Sequence, residues 1–329
     1  MPQTQGPVTC NTNSFNTTGS LNHNTNSLNH NNHCFNTNIT VADDRAEILT
    51  WLSPLEPRLR HSDLESRRVR NVGDWLLQTE EFRSWKNSDG QCGSQKATMF
   101  CSGNPGVGKT YIRYETQYGG EGAQSRIFFL TSRHISSLVA DTLCDEAGKA
   151  GEDISVACFY FDFAAQNEQS AGNMLGALLK QVVSGFKQIP EEITNAFEKH
   201  QEVIGGRRIQ LPEIVKLLGS LSSMRPTFFC LDALDECAAL HRAKTLLSLQ
   251  EIIKMSPTTR VFLTGRPHVG SEVEKHLPCG VAVVSISPRK DDIIRYIHAK
   301  LEEDTTSEEM DEKLEAEIIK NIPETVSEM

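Results

Sequence analysis

The chain has 329 residues, enough for one large or two ordinary globular domains. Its formal net charge of -10 and pI near 5.5 leave no broad basic surface for nucleic acid or an anionic membrane. No apolar stretch approaches the ~18 residues of a spanning helix, and the N-terminus has no basic start followed by an apolar segment, so a soluble, non-secreted, cytoplasmic protein is expected. The 9 cysteines stand singly, several of them (Cys101, Cys158, Cys230) in apolar runs. That is the usage of reduced core residues, not of a disulfide framework or a zinc site.

Residues 1–42 are low in complexity, with Asn making up about a third of positions 11–40. Such a segment cannot bury a core, but it places one apolar residue every six or seven positions, at Phe15, Leu21, Leu28 and Phe35. Two readings stay open: a disordered polar tail, or an amyloid-like cross-β segment through which copies of the chain template one another. Residues 43–92 read as a helical lead-in. Ile48, Leu49, Trp51, Leu52 and Leu55 precede Pro57, and Val69, Val72, Trp75, Leu76 and Leu77 follow at helical spacing.

The core, residues 93–287, opens with the apolar strand Ala97 to Cys101. After it comes Gly103-Asn104-Pro105-Gly106-Val107-Gly108-Lys109-Thr110, which fits the phosphate-binding pattern G-x-x-x-x-G-K-[ST]. Its glycines allow backbone N–H groups to nest around phosphates. Lys109 supplies a point charge, and Thr110 offers a hydroxyl to Mg²⁺. A helical face recurs at Ile135, Leu138, Val139, Thr142 and Leu143, followed by a strand within 154–163 and helices within 172–183, 190–200 and 211–222.

The run Thr227 to Leu231 is an apolar strand ending in Asp232-Ala233-Leu234-Asp235-Glu236. At such a strand end beside the phosphate loop, Asp232 would hold Mg²⁺ through its water shell, and Asp235 or Glu236 would orient an attacking water. A helix over 240–254 and strands over 260–264 and 281–286 complete an alternation that predicts an α/β fold, a P-loop NTPase with a parallel sheet flanked by helices. Residues 288–329 read as the start of an acidic helical domain, cut short.

Four pieces together resemble the NACHT domains of fungal NOD-like receptors, the signal-transducing NTPases of nephrocystin-3-like type. They are the phosphate loop, Leu231 to Glu236, Phe262-Leu263-Thr264-Gly265-Arg266-Pro267, and the lead-in Trp51 to Leu55 with Gly73 to Leu76. The resemblance implies a switch that holds ADP at rest and ATP when engaged, with GTP as the alternative, and with slow hydrolysis. It implies that Lys109 and Thr110 bind phosphate and Mg²⁺, that Asp232 supports the metal, and that Asp235 and Glu236 serve hydrolysis. Arg266 would sense the third phosphate, and the adenine pocket would lie near Val72 and Gly73. It further implies innate-immunity or incompatibility signalling by self-association, with an effector protein engaged through the N-terminal segment.

The chain departs from that family in two places. The helix that should leave the phosphate loop does not follow Thr110, because Tyr111 to Arg133 contains Gly119-Gly120-Glu121-Gly122 and Ile127 to Leu130, which do not continue an amphipathic helix. Joining Thr110 to His134 restores a normal helix start, so residues 111–133 read as a retained intron or a surface insertion. The second departure is the end at Met329, before the winged-helix and repeat regions that the resemblance implies. An ordinary P-loop ATPase or kinase-like enzyme and an inactive truncated relic stand as alternatives.

Overall fold

The structure, a computed structural model, describes residues 44–87, 96–103, 112–113, 126–127, 132–202, 208–277, 280–287 and 289–303, with residues 316 and 319–321. The chain divides into two units, Met1–Thr50 and Trp51–Met329. In the first, the described residues are helical from position 44. Residues 44–52 form the helix α1.

Five parallel strands form the sheet: β1 (Thr98–Gly103), β4 (Ser155–Tyr160), β5 (Thr227–Asp232), β6 (Arg260–Gly265) and β7 (Val281–Ile286), in the order β4-β5-β6-β1-β7. A two-residue antiparallel pair, β2 (Ile112–Arg113) with β3 (Arg126–Ile127), stands apart from it. Parallel neighbours need crossovers, and helices supply them. α4 (Ser132–Ala150) lies between β1 and β4. α5 (Ala171–Ser184), α6 (Glu191–Gln201) and α7 (Leu211–Met224) lie between β4 and β5, and α8 (Ala239–Met255) between β5 and β6. The short α9 (Gly270–His276) precedes β7, and α10 (Lys290–Glu303) follows it. With helices packed against the sheet, β5 and β6 are buried along their whole length, which is why their centres, Phe228 to Leu231 and Val261 to Leu263, are apolar without alternation. β7, at the edge, alternates.

On α4, Ile135, Val139 and Leu143 are buried at four-residue spacing against a core that includes Met99, Cys230 and Phe262. Leu138 and Thr142, expected on the same face, are half-buried at its margin. α3 (Glu80–Lys86), which sequence periodicity did not mark, starts at the capping side chain of Thr79. It delivers Trp85 into the core, where its indole N–H donates to the Ala97 carbonyl at 3.2 Å and its ring meets Phe228 and Phe262.

The helix expected across Val69 to Leu77 is not formed. α2 (Pro57–Ser66) takes its start from Pro57, whose fixed φ suits a first turn, and ends ahead of Asn71 and Gly73, both at positive φ. Only a 3-10 turn, Asp74–Leu76, follows.

Gly176 shows how tightly the second unit is assembled. α5 crosses the Leu52 backbone so closely that a Cβ on Gly176 would lie 2.3 Å from the Leu52 carbonyl oxygen. Gly176→Ala is therefore expected to destabilise the fold by ~1–3 kcal/mol in denaturant unfolding, although in an open helix the same change stabilises by roughly 1 kcal/mol.

Candidate functional site

The C-terminal ends of three strands meet at one edge of the sheet. Cys101 is in register with Thr264, and Ser102 with Gly265, so the exit of β1 at Gly103 lies beside the exit of β6. β5 lies on the far side of β6. The Asp232 strand is therefore one strand removed from the phosphate-loop strand, with β6 between them. Asn104, Pro105, Gly106, Val107, Gly108, Lys109 and Thr110 lie outside the described residues.

Asp232 is fully buried. A buried carboxylate is costly unless it is hydrogen-bonded, and two hydroxyls donate to its Oδ1: Thr264 Oγ1 at 2.6 Å and Ser136 Oγ at 2.8 Å. Its backbone carbonyl accepts from the Phe161 N–H at 3.1 Å. The chain then turns sharply through Ala233, at φ 56 and ψ 48, which is left-handed backbone on a non-glycine residue. The Ala233 N–H donates to Thr264 Oγ1 at 3.0 Å. One threonine hydroxyl thus ties the carboxylate and the turn behind it to the end of β6. A small residue follows Asp232 because the turn is both left-handed and buried.

Beyond the turn, the 3-10 segment Leu234–Glu236 presents two acids differently. Asp235 is held by Arg266, with Arg266 Nε 3.0 Å from Oδ2 and the Arg266 backbone N–H 3.3 Å from Oδ1. Glu236 turns toward the segment after β4, where its Oε2 accepts from the Phe163 N–H at 3.4 Å and its carbonyl from Gln166 Nε2 at 2.6 Å. The expected site residues Asp232, Asp235, Glu236 and Arg266 therefore share one edge. Within it, Arg266 engages Asp235, while Asp232 is held by hydroxyls. Val72 is buried, and the Gly73 N–H donates to the Asp292 carboxylate of α10 at 3.1 Å.

Sequence reasoning missed Thr264 and Ser136 as partners of Asp232. Thr264 was legible only as a member of the Thr264-Gly265-Arg266 run, and no periodicity marks Ser136. It also gave His61 no chemistry, yet His61 joins three elements. Its Nδ1 lies 2.6 Å from the Tyr160 hydroxyl and its Nε2 2.8 Å from Asp141 Oδ1, while Arg68 Nη1 donates to Asp141 Oδ2 and to Ser137 Oγ. The hydrogen bond to Asp141, and after it Cys158, lift the His61 imidazolium from its ordinary 6.5 to about 10. Burial works to raise the Asp141 carboxyl, but the His61 and Arg68 hydrogen bonds outweigh it and hold it below its usual value. Among the described residues no cluster of His, Cys, Asp or Glu could hold a metal by itself, and no helix is long and apolar enough to cross a membrane.

A parallel sheet ordered β4-β5-β6-β1-β7, a glycine-rich phosphate-loop motif leaving β1, and a buried Asp ending β5 define an α/β P-loop NTPase fold. The sequence matches the family described as Nephrocystin 3, N-terminal, over residues 71–115 and 130–266, which is more than half of its length. The chain belongs to that family. Among solved structures it is similar to a crystal structure of a DNA replication initiation factor, with 15% identity and a TM-score of 0.39, covering 80% of this chain and 61% of that one. It thus spans about three-fifths of that protein's length. Among curated proteins none matches.

Two outcomes are expected. Ala233→Val puts a β-branched residue into buried left-handed backbone and should lower unfolding stability by ~1–3 kcal/mol, whereas Ala233→Gly should be far milder. The raised His61 value means that its stabilising charge is fully present below pH 6.5 and is lost as pH climbs toward about 10. The thermal-stability advantage of the wild type over His61→Gln should therefore be largest at about pH 6 and shrink steadily as pH rises to about 8.5.

Proposed function

We propose that this chain is the nucleotide-handling domain of a NOD-like, NACHT-type molecular switch, binding ADP or ATP with Mg²⁺ and hydrolysing slowly at most. The observation that carries the reading is Asp232: a buried carboxylate, already fixed by two hydroxyls, at the strand edge where the phosphate-loop motif leaves β1. These residues fit the group. Lys109 and the loop N–H groups would hold phosphate, Thr110 and Asp232 would hold Mg²⁺, and the metal would supply charge neutralisation for the phosphate oxygens.

Arg266 and Asp235 would contribute through their mutual bond. While Arg266 Nε is paired with Asp235 Oδ2 at 3.0 Å, that carboxylate is not available to orient water. The pair suits a resting state, and its exchange for a third phosphate would release Asp235 and engage the guanidinium bidentately. Signalling by self-association in the cytoplasm, with an effector recruited through the Asn-rich segment, completes the reading on the strength of the NACHT resemblance.

The stretch 111–133 is read here as inserted sequence, a retained intron in the phosphate-loop-to-helix junction. Two findings support this. The family match breaks between residues 115 and 130. In addition, α4, the helix that follows β1, starts only at Ser132, yet it places Ser136 against Asp232, where the helix leaving a phosphate loop belongs.

The test is Mg²⁺-dependent binding of labelled ADP and ATP by the 329-residue chain and by a form lacking Tyr111 to Arg133, with Lys109→Ala as control. Binding that is lost in Lys109→Ala is expected, tighter in the shorter form. Turnover above about 1 per second would instead favour an ordinary P-loop catalyst. Absence of binding in both forms would reduce the chain to a relic of the fold.

A further inference from the structure

Two other hydroxyls of α4 take local acceptors. Ser137 Oγ donates to the His134 carbonyl at 3.0 Å, and Thr142 Oγ1 to the Leu138 carbonyl at 2.7 Å. That is the ordinary habit of serine and threonine within a helix. Ser136, buried to 1% exposure, instead sends its proton across to β5, donating to Asp232 Oδ1 at 2.8 Å.

The rotation of α4 that makes this bond is held from the opposite side. Arg68 reaches from the end of α2 to Ser137 and Asp141, and His61 of α2 bonds Asp141 and the hydroxyl of Tyr160, which is in register with Asp232 on the neighbouring strand. Serines 136 and 137 thus face apart, one gripped by α2 and the other turned to the carboxylate.

Resting on the nucleotide reading above, we propose that Ser136 is a positioning residue for Asp232. Together with Thr264 it pins Oδ1, so that the carboxylate keeps one orientation toward the cation that accompanies the phosphates. Two donors on one oxygen remove the rotational freedom the side chain would otherwise lose on capturing a cation. Outer partners of this kind are worth about 10- to 100-fold in metal affinity.

The experiment is a Mg²⁺ titration of fluorescent ADP binding, in whichever form binds, the 329-residue chain or the one lacking Tyr111 to Arg133. It compares wild type, Ser136→Ala, Ser136→Cys and Ser136→Thr. Ser136→Ala and the near-isosteric, weakly donating Ser136→Cys are expected to raise the Mg²⁺ midpoint roughly tenfold. Nucleotide affinity in EDTA should be unchanged, the thermal midpoint should fall modestly as a donor to the buried carboxylate is lost, and Ser136→Thr should restore the wild-type Mg²⁺ midpoint. An unchanged Mg²⁺ midpoint in a folded Ser136→Ala or Ser136→Cys chain overturns the assignment while leaving the nucleotide reading intact. A loss of affinity that is equal with and without Mg²⁺ overturns it as well, since that marks a structural role. If wild type binds in neither form, the nucleotide reading fails and the assignment fails with it.

Discussion

A carboxylate buried at the end of a parallel strand is the constraint around which this fold is arranged. Left uncompensated, Asp232 would cost more than the fold could sustain. Its compensation comes from groups far apart in sequence: a hydroxyl from α4, another from the end of β6, and a left-handed turn whose N–H feeds the second hydroxyl. Each donor fixes the relative position of the element that carries it. The carboxylate therefore organises the sheet edge as much as the edge positions the carboxylate. The strand order matters here, because β6 lies between β1 and β5, in register with both, and its end carries the threonine that holds the Asp232 turn.

The two acids beyond the turn show how local backbone distributes roles. A single 3-10 segment separates Asp235 and Glu236 by direction: one toward Arg266 at the end of β6, the other toward the segment after β4. Neither is spare. An arginine bonded to an acid of its own site is a two-state element, since another anion of suitable shape competes for the same guanidinium. Here that element includes an ion pair and a backbone hydrogen bond between the two residues.

The clamp from α2 adds a second layer of order. His61, Arg68, Asp141 and Tyr160 form a half-buried polar network whose members come from α2 and its C-terminal end, α4 and β4. Buried networks of this sort specify one packing among several of similar hydrophobic content. Here the choice they specify is the rotation of α4. Elsewhere in the core, burial pushes the Cys101 and Cys230 thiols upward and Cys237 up to about 12, as expected of reduced core residues.

Much of this was legible in the sequence, for physical reasons. Fully buried parallel strands must be apolar throughout, so β1, β5 and β6 announced themselves. A phosphate loop needs glycine at fixed places, and an acid ending a buried strand has few bland explanations. The alternation of strands and helices fixed the α/β class. Legibility failed wherever a property depended on two distant segments. Periodicity suggested a helix across Val69 to Leu77, but the positive-φ residues Asn71 and Gly73 break it. The position of β6 between β1 and β5, the pairing of Arg266 with Asp235, the distant hydroxyl of Ser136 and the fit of Gly176 against Leu52 were decided only by the tertiary structure. Hydrogen bonds and close contacts between remote residues leave no period in a sequence, because each needs only one suitable side chain at the right place in space.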